Sequence, residues 1–260
     1  MPVTQHNHVT SIAIWHTNLA KPRDSALLAR WADWLDPAEA QRMHRFQRLE
    51  QRTRFLVSHA MTRDVIARQA GILPGEVVFD HLANGKPYIA APDAACRFFF
   101  NLTHSHDVAA VAISETGPLG LDLEWLGRKG PEVELAQRFF TEREYQDIIN
   151  QPASTQHHRL LRYWTLKEAY IKAEGWGLSA GLDSFEFELI SETDAVLHVR
   201  KAQAAPRYPW QFLQFSLPGR HLIALAGIAP DAQPLAVQLH RWPDQEHHVD
   251  DDGPRISLVT

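Results

Sequence analysis

The sequence predicts an α+β fold made of two similar halves, each an antiparallel sheet packed against one long helix, with a cleft between them. Each half contains one long helical pattern, over residues 52–71 and 157–174. Each half also ends in two apolar strands joined by a polar turn, over residues 100–113 and 215–228. Because the same elements recur in the same order, we interpret the chain as a pseudo-dimer.

The first half opens with a strand over residues 11–15 and a helix over residues 24–34, in which leucines and tryptophans recur at helical spacing. Asp36 and Pro37 then start a second helix, as its N-cap and its first helical residue. Gly71 ends the long helix that follows, because glycine readily takes the left-handed conformation found after helix C-termini. These signals predict a largely helical segment before the first hairpin.

A short strand over residues 77–79 leads into a tight turn at residues 83–87, where Asn-Gly supplies the positive φ and the proline fixes the chain that follows. Lys86 is expected at the tip of this turn. Two buried strands follow over residues 98–113. Histidines on both sides of Ser105 in their connection are compatible with a nucleophile and its base, but we favour a simple polar turn because nothing nearby orients the pair.

The boundary between the halves is expected at residues 114–118, which contain Gly-Pro. In the second half, a strand over residues 184–190 follows the long helix. Beyond it, prolines and acidic residues dominate the C-terminal segment. His247 and His248 are a weak metal-binding candidate, and we favour their interpretation as part of an exposed polar tail. The chain is thus divided into residues 1–117, residues 118–229 and an irregular tail over residues 230–260.

Composition limits the classes of function. The 260 residues are 45% hydrophobic, which is enough for a packed core, and the formal net charge of -5 argues against a general nucleic-acid or anionic-membrane binder. Cys96 is the only cysteine, so no intrachain disulfide can form, which suits a reducing cytosol. The N-terminus lacks a secretion-signal pattern, and no apolar run is long enough to span a bilayer. We expect a soluble, cytoplasmic monomer.

Two carboxylates lie close together on the strand over residues 119–125. Alternation places the leucines on one face and Asp122 and Glu124 on the other. Two neighbouring carboxylates repel each other, and a hard cation such as Mg²⁺ would relieve that repulsion. An exposed acidic strand face is the alternative interpretation.

The second long helix carries Leu160, Trp164, Glu168 and Lys172 on one i, i+4 row, so Glu168 follows a tryptophan expected to face the core. Lys167 lies beside this row. Glu168 and Lys172 are compatible with an ordinary surface ion pair and equally with the wall of a site.

These residues resemble the two signature motifs of the 4′-phosphopantetheinyl transferases, at residues 120–124 and 164–172. The Asn-Gly-Lys-Pro turn within residues 83–87 and the segment over residues 101–105 make the chain similar to the longer surfactin-synthetase-activator (Sfp) type, in which one chain carries two pseudo-symmetric halves. The resemblance covers about residues 37–229. Four motifs in the expected order are more specific than any one of them.

The resemblance implies an enzyme that transfers the phosphopantetheine arm of coenzyme A to a serine of an apo acyl or peptidyl carrier protein and releases adenosine 3′,5′-bisphosphate. It places the active site in the cleft. Asp122, Glu124 and Glu168 would bind Mg²⁺, with Mn²⁺ as the alternative, while Glu168 also accepts the serine proton. Lys172 would contact a phosphate oxygen. The residues implied to bind coenzyme A are Arg42, Gly85, Lys86, Pro87, Thr103, His104 and Lys172.

The chain departs from the family pattern at two positions. Thr103 replaces a frequent serine and keeps the hydroxyl. Glu39 stands where a basic residue is common, and Arg54 on the next helix is a candidate replacement. Within residues 129–145, the aromatic residues Phe139, Phe140 and Tyr145 are candidates for a carrier-protein surface, or for the core of a helix. Two alternative functions stay open: another Mg²⁺-dependent phosphotransferase or phosphodiester hydrolase, and a non-catalytic carrier-binding module.

Overall fold

The computed structural model describes residues 11–128, 130, 132–177, 181–228 and 234–243. Across these ranges, no helix combines the length and the apolar character needed to cross a membrane. The first half consists of β1 (Ser11–Asn18), α1 (Ser25–Ala32), α2 (Pro37–Arg45), α3 (Leu49–Ala70), β2 (Val78–His81), β3 (Pro87–Ala91), α4 (Asp93–Cys96), β4 (Phe99–Ser105) and β5 (Val108–Ser114).

The second half repeats this order of strand, short helices, long helix, two-stranded ribbon and hairpin. A further strand then follows the hairpin. The elements are β6 (Gly120–Trp125), α5 (Glu132–Phe139), α6 (Glu142–Ile149), α7 (Ala153–Glu174), β7 (Phe185–Leu189), β8 (Ala195–Val199), β9 (Trp210–Leu217), β10 (His221–Ile228) and β11 (Ala236–Arg241).

The shared topology confirms the predicted α+β pseudo-dimer. In each half the opening strand pairs with the last strand of the hairpin, giving the antiparallel orders β1-β5-β4 and β6-β10-β9. Helices α3 and α7 have 22 residues each, and they end at Gly71 and Gly175 with φ of 69° and 70°. The long helices begin at Leu49 and Ala153, ahead of the predicted starts, because their polar first turns carry no apolar periodicity.

The second helix begins as predicted. The Asp36 carboxylate accepts hydrogen bonds from the backbone N–H groups of Ala38 and Glu39, and Pro37 occupies the first turn. The Glu39 side chain in turn accepts from the Asp36 backbone N–H, which completes a capping box. Local sequence therefore fixes the orientation in which α2 enters the fold.

Buried apolar clusters divide the molecule into layers of helix, sheet, sheet and helix. One cluster packs α3 on the first sheet, a second fills the space between the sheets, and a third packs α7 on the second sheet. Strand β10 shows the alternation: Ile223 belongs to the cluster between the sheets and Ala224 to the cluster beneath α7. The two halves are therefore joined by a continuous apolar layer.

The tail expected to be irregular contains a strand, so that prediction is wrong for residues 236–241. Strand β11 pairs in parallel with β1 and extends the first sheet. Val237 and Leu239 pack against the cluster between the sheets, so the alternation of apolar residues outweighs the flanking prolines. His247 and His248 lie outside the described residues.

Candidate active site

Strand β6 presents its carboxylates to α7, as the alternation predicted. Leu121 is buried between the sheets, whereas Asp122 and Glu124 alternate with the leucines and point to the other face. Gly120 allows the strand and the helix to touch, because a Cβ atom there would lie 1.9 Å from the carbonyl oxygen of Ala169. The close approach brings the acidic face of β6 onto the helix.

Helix α7 contributes Glu168 and Lys172 to the same place. Leu160 is buried in the core and Trp164 packs partly against it, while the two charged residues are half-buried. Lys172 Nζ lies 2.6 Å from Asp122 Oδ1. Lys172 therefore pairs with the strand carboxylate and not with its helical neighbour, and the interpretation as an ordinary surface ion pair is wrong.

The same ammonium group reaches the other half of the molecule. Lys172 Nζ lies 3.4 Å from the hydroxyl oxygen of Thr103 on β4 and 3.2 Å from the carbonyl oxygen of Leu121. Thr103 is buried, and the neighbouring Asn101 side chain accepts the backbone N–H of Leu121 at 2.8 Å. Strands β4 and β6 thus meet edge to edge at this site, between the halves.

Asp122 is a buried carboxylate with only one oxygen engaged. Among the described residues, its Oδ2 atom has no hydrogen-bond partner. Burial raises the pKa of Asp122 to about 7 against the opposing effect of Lys172, and Glu168 and Glu124 add to the rise. A cation near Oδ2 would stabilise the ionised form.

The Glu168 carboxylate is a proton-acceptor candidate. It forms no hydrogen bond with any residue that the structure describes. Burial raises its pKa, Lys172 opposes the rise and Glu124 adds to it. A carboxylate with a raised pKa accepts a proton more readily, as a general base requires.

Glu124 is held by two residues whose roles the sequence did not reveal. The Ser105 hydroxyl donates to Glu124 Oε2 at 2.9 Å and accepts the Trp125 backbone N–H at 3.1 Å. Arg128 binds the other oxygen at 2.7 Å. The Ser105 hydroxyl faces a carboxylate and not a histidine, which argues against a nucleophile with a histidine base. The prediction that residues 103–105 form the turn is wrong, because all three lie in β4 and only His106 and Asp107 connect it to β5.

Two basic side chains of the first half that were predicted to bind coenzyme A are exposed. His104 is exposed on β4, and partial desolvation lowers its pKa, with further lowering by the charges of Lys172 and Arg54. Arg42 is exposed on α2, with its guanidinium 5.7 Å from the centre of the Phe55 ring. These two predicted ligands are thus accessible to an anion.

Glu39 has a structural role that accounts for an acidic residue at this position. Its carboxylate lies 2.6 Å from the Arg63 guanidinium and 2.7 Å from the His59 ring. Arg54, the candidate replacement cation, pairs with Glu50 and donates to the backbone carbonyl of the turn after β4. Its contact with a ligand stays a prediction.

The turn between β2 and β3 has the predicted conformation, but it does not present its lysine to solvent. Gly85 has φ of 84°, and Pro87 begins β3. Lys86 is half-buried, and its ammonium group donates to backbone carbonyls of the second half. Burial lowers the pKa of Lys86 to about 8.

Lys167, the other lysine of the helical motif, lies away from the site. It is fully buried, 2.9 Å from Glu144, and donates to the backbone carbonyls of Leu182 and Phe185. It therefore joins α6, α7 and β7.

Of the aromatic residues considered for a partner surface, Phe139 is 38% exposed and Phe140 is buried.

The donor set fits a hard divalent cation, because carboxylate oxygens are the ligands that Mg²⁺ prefers. The unpartnered oxygen of Asp122 agrees with this chemistry. Within the described residues, however, no three histidine, cysteine or acidic side chains gather as a ready ligand cluster. Lys172 and Arg128 are instead the cations that contact the strand carboxylates.

Comparisons with known proteins match nearly the whole described chain. A family model described as 4′-phosphopantetheinyl transferase superfamily matches residues 118–226, and one described as 4′-phosphopantetheinyl transferase, N-terminal, matches residues 21–116. The chain is similar to 4′-phosphopantetheinyl transferase HetI of Nostoc sp., with 34% identity over 218 residues that cover 84% of this chain and 87% of the relative.

Two further relatives come from Bacillus. The chain is 34% identical to 4′-phosphopantetheinyl transferase psf-1 of Bacillus pumilus over 160 residues, which cover 62% of this chain and 66% of the relative. It is also 34% identical to 4′-phosphopantetheinyl transferase Sfp of Bacillus subtilis over 161 residues, which cover 62% of this chain and 69% of the relative.

Proposed function

The chain belongs to the 4′-phosphopantetheinyl transferase family, as an enzyme of the Sfp type, and we propose that it transfers the phosphopantetheine arm of coenzyme A to a serine of an apo acyl or peptidyl carrier protein. The serine oxygen forms a bond to the β-phosphorus of coenzyme A. The bond from that phosphorus to the bridging oxygen breaks, and adenosine 3′,5′-bisphosphate leaves. The meeting of Lys172, Asp122 and Thr103 between the halves carries this proposal.

Mg²⁺, with Mn²⁺ as the alternative, would be held by Asp122, Glu124 and Glu168. When bound, such a cation neutralises charge that develops on the pyrophosphate. The support is the unpartnered Oδ2 atom of Asp122, together with three carboxylates close enough to shift the pKa of Asp122 or Glu168.

Glu168 is proposed to accept the proton of the attacking serine hydroxyl. Its carboxylate is half-buried, and within the described residues it has no hydrogen bond that would have to break first. Lys172 is proposed to contact a phosphate oxygen. Its ammonium already lies between the acidic strand of one half and Thr103 of the other, so a pyrophosphate in the cleft would lie within its reach.

The nucleotide end of coenzyme A is proposed to lie against the first half. Arg42 and His104 offer exposed cationic or donor groups, Thr103 offers a hydroxyl, and the turn Gly85–Lys86–Pro87 offers further backbone atoms. Charge-assisted hydrogen bonds to the phosphates explain the use of several basic groups in a protein of net negative charge. Because both halves of the site belong to one chain, we propose that a monomer is the working form. We also propose a cytoplasmic location, which the single cysteine suits.

Ligand protection from unfolding separates this function from a general phosphotransferase or hydrolase. Coenzyme A with Mg²⁺ should raise the melting temperature, since a ligand at a free concentration of about a hundred times its Kd stabilises the folded state by about 2.7 kcal/mol. ATP with Mg²⁺ at the same concentration should give a much smaller shift. Equal shifts for both nucleotides would argue against a coenzyme A site, as would no shift with coenzyme A.

A further inference from the structure

The turn between β2 and β3 reaches out of the first half and touches the end of α7. Lys86 Nζ donates to the carbonyl oxygens of Lys172 at 2.5 Å, Ala173 at 3.2 Å and Leu119 at 3.2 Å. All three acceptors belong to the last turn of α7 or to the residue just before β6. The lysine therefore contacts the end of α7 and the residue that leads into β6, the two elements that carry the proposed catalytic side chains.

These three bonds use the full donor capacity of the side chain. A lysine ammonium has three N–H groups, and each has a carbonyl acceptor here. The group is also half-buried among peptide oxygens. A phosphate of coenzyme A would have to displace one of these acceptors, and the displaced carbonyl would lose its partner.

The end of α7 depends on side chains to satisfy its carbonyls. The last four C=O groups of a helix have no partner within the helix, and the helix dipole makes this end negative. Lys86 binds the carbonyls of Lys172 and Ala173, while Arg207 donates to that of Glu174. The Asn84 side chain donates to the carbonyl of Gly175, so the turn supplies two of the groups that cap the helix.

Lys172 connects the capped end of α7 to the carboxylates of β6, because its backbone and its side chain have different partners. Its carbonyl accepts from Lys86, and its ammonium pairs with Asp122 on β6. We propose that Lys86 is a positioning residue, which bridges the two halves and fixes the last turn of α7 against β6. The place of Glu168 and Lys172 relative to Asp122 then depends on a residue of the opposite half.

The test is Lys86→Met, which keeps the apolar chain and removes the donors. We expect the melting temperature without ligand to fall and the Kd for coenzyme A, measured by calorimetry, to stay within about twofold of wild type. The melting temperature and the Kd can be measured whether or not the protein is a transferase, whereas kcat rests on the proposed transferase function and is measured in a separate experiment. It should fall by up to about a hundredfold, as for small displacements of catalytic groups. Lys86→Arg, which retains a cation with donors, should recover part of kcat.

His104→Ala is the matched control from the same half. It should raise the Kd for coenzyme A with an unchanged melting temperature. If Lys86→Met does not fold, Asn84→Ala removes one capping bond together with the bond that Asn84 Oδ1 accepts from the Lys86 backbone N–H. It should lower the melting temperature and kcat by less, again at unchanged Kd.

A tenfold rise in the Kd of Lys86→Met with a wild-type melting temperature would overturn the inference, because Lys86 would then be a ligand of coenzyme A. Wild-type values for all three quantities would overturn it too. A wild-type protein that transfers nothing would contradict the proposed function, while Kd and melting temperature would still decide the role of Lys86.

Discussion

Glu168 differs from the other carboxylates of the site because no described residue holds it. Asp122 is paired with Lys172, and Glu124 is bound on both oxygens by Ser105 and Arg128. Burial raises the pKa of Glu168, and of its charged neighbours Lys172 opposes that rise while Glu124 adds to it. The freedom of this carboxylate suits a group that must receive a proton and then release it.

Glu168→Gln should therefore abolish transfer without unfolding the protein. The amide keeps the shape of the side chain but cannot accept the serine proton, and it is a weaker cation ligand. We expect kcat to fall by at least about 10²-fold, the lower range for loss of a general base. Transfer rates and thermal melting of both proteins check this. A variant with wild-type kcat would remove Glu168 from its proposed role.

His16 on β1 makes the stability of the protein sensitive to acid. Burial lowers the pKa of His16 to about 4, with help from the charges of Arg241 and His221. Above pH 6.5 the ring is neutral in both states. As pH falls from 6.5 to 4, the unfolded state binds a proton that the folded state does not, so stability decreases over this window.

His16→Gln should flatten that response. The difference between the free energies of unfolding at pH 7 and pH 4.5, from urea titrations, should be smaller in the variant than in wild type. The same difference in both proteins would show that His16 titrates normally in the folded state.

At the level of elements, the contact between β6 and α7 defines the site. A Cβ atom at Gly120 would lie 1.9 Å from the Ala169 carbonyl oxygen and 2.5 Å from the backbone nitrogen of Ala173. Both neighbours are backbone atoms, which cannot rotate away. The strand and the helix can come this close only with glycine at this position.

Gly120→Ala should force β6 and α7 apart. Overpacking of this kind costs about 1–3 kcal/mol or more, and moving Asp122 away from Lys172 should reduce kcat as well. Gly75→Ala is the matched control, because its nearest neighbours would be 4.0 Å away. Urea unfolding and transfer rates measure both variants. Equal stability of the two variants would contradict the close approach.

The acidic face of β6 and the helical row of α7 follow from the sequence because they depend on local periodicity. The partners of Glu124 do not, since Ser105 comes from the other half and Arg128 from a turn. Lys86 was expected at an exposed turn tip for the same reason: its acceptors are 33 to 87 positions away along the chain. Contacts of this range depend on how the halves pack.

At the level of the whole molecule, the repeat of two halves was visible in the sequence, whereas the return of the chain to the first half was not. Strand β11 follows the second half and pairs with β1. Beyond it, Trp242 is 3% exposed, lies 4.6 Å from the Trp31 ring and donates to Asp64 at 2.7 Å. The C-terminal strand thus ties the second half to the first.

Trp242→Ala should weaken the first half although the residue follows the second. Truncation of a buried tryptophan costs about 3–5 kcal/mol, and here the Asp64 carboxylate also loses a donor. Leu73→Ala, at a residue 69% exposed on the first half, should change stability by less than about 0.5 kcal/mol. Denaturant titrations of both variants give the comparison. Similar small changes would show that β11 and Trp242 do not stabilise the fold.

The measurement that tests the central claim most directly is intact-protein mass spectrometry of apo carrier proteins incubated with this protein, coenzyme A and Mg²⁺. Acyl and peptidyl carriers are tested in parallel with variants whose acceptor serine is replaced by alanine. We predict a gain of one phosphopantetheine group on at least one carrier, no gain on its serine-to-alanine variant and none with Glu168→Gln. The absence of that gain on every carrier, with a folded wild-type protein, would contradict the account.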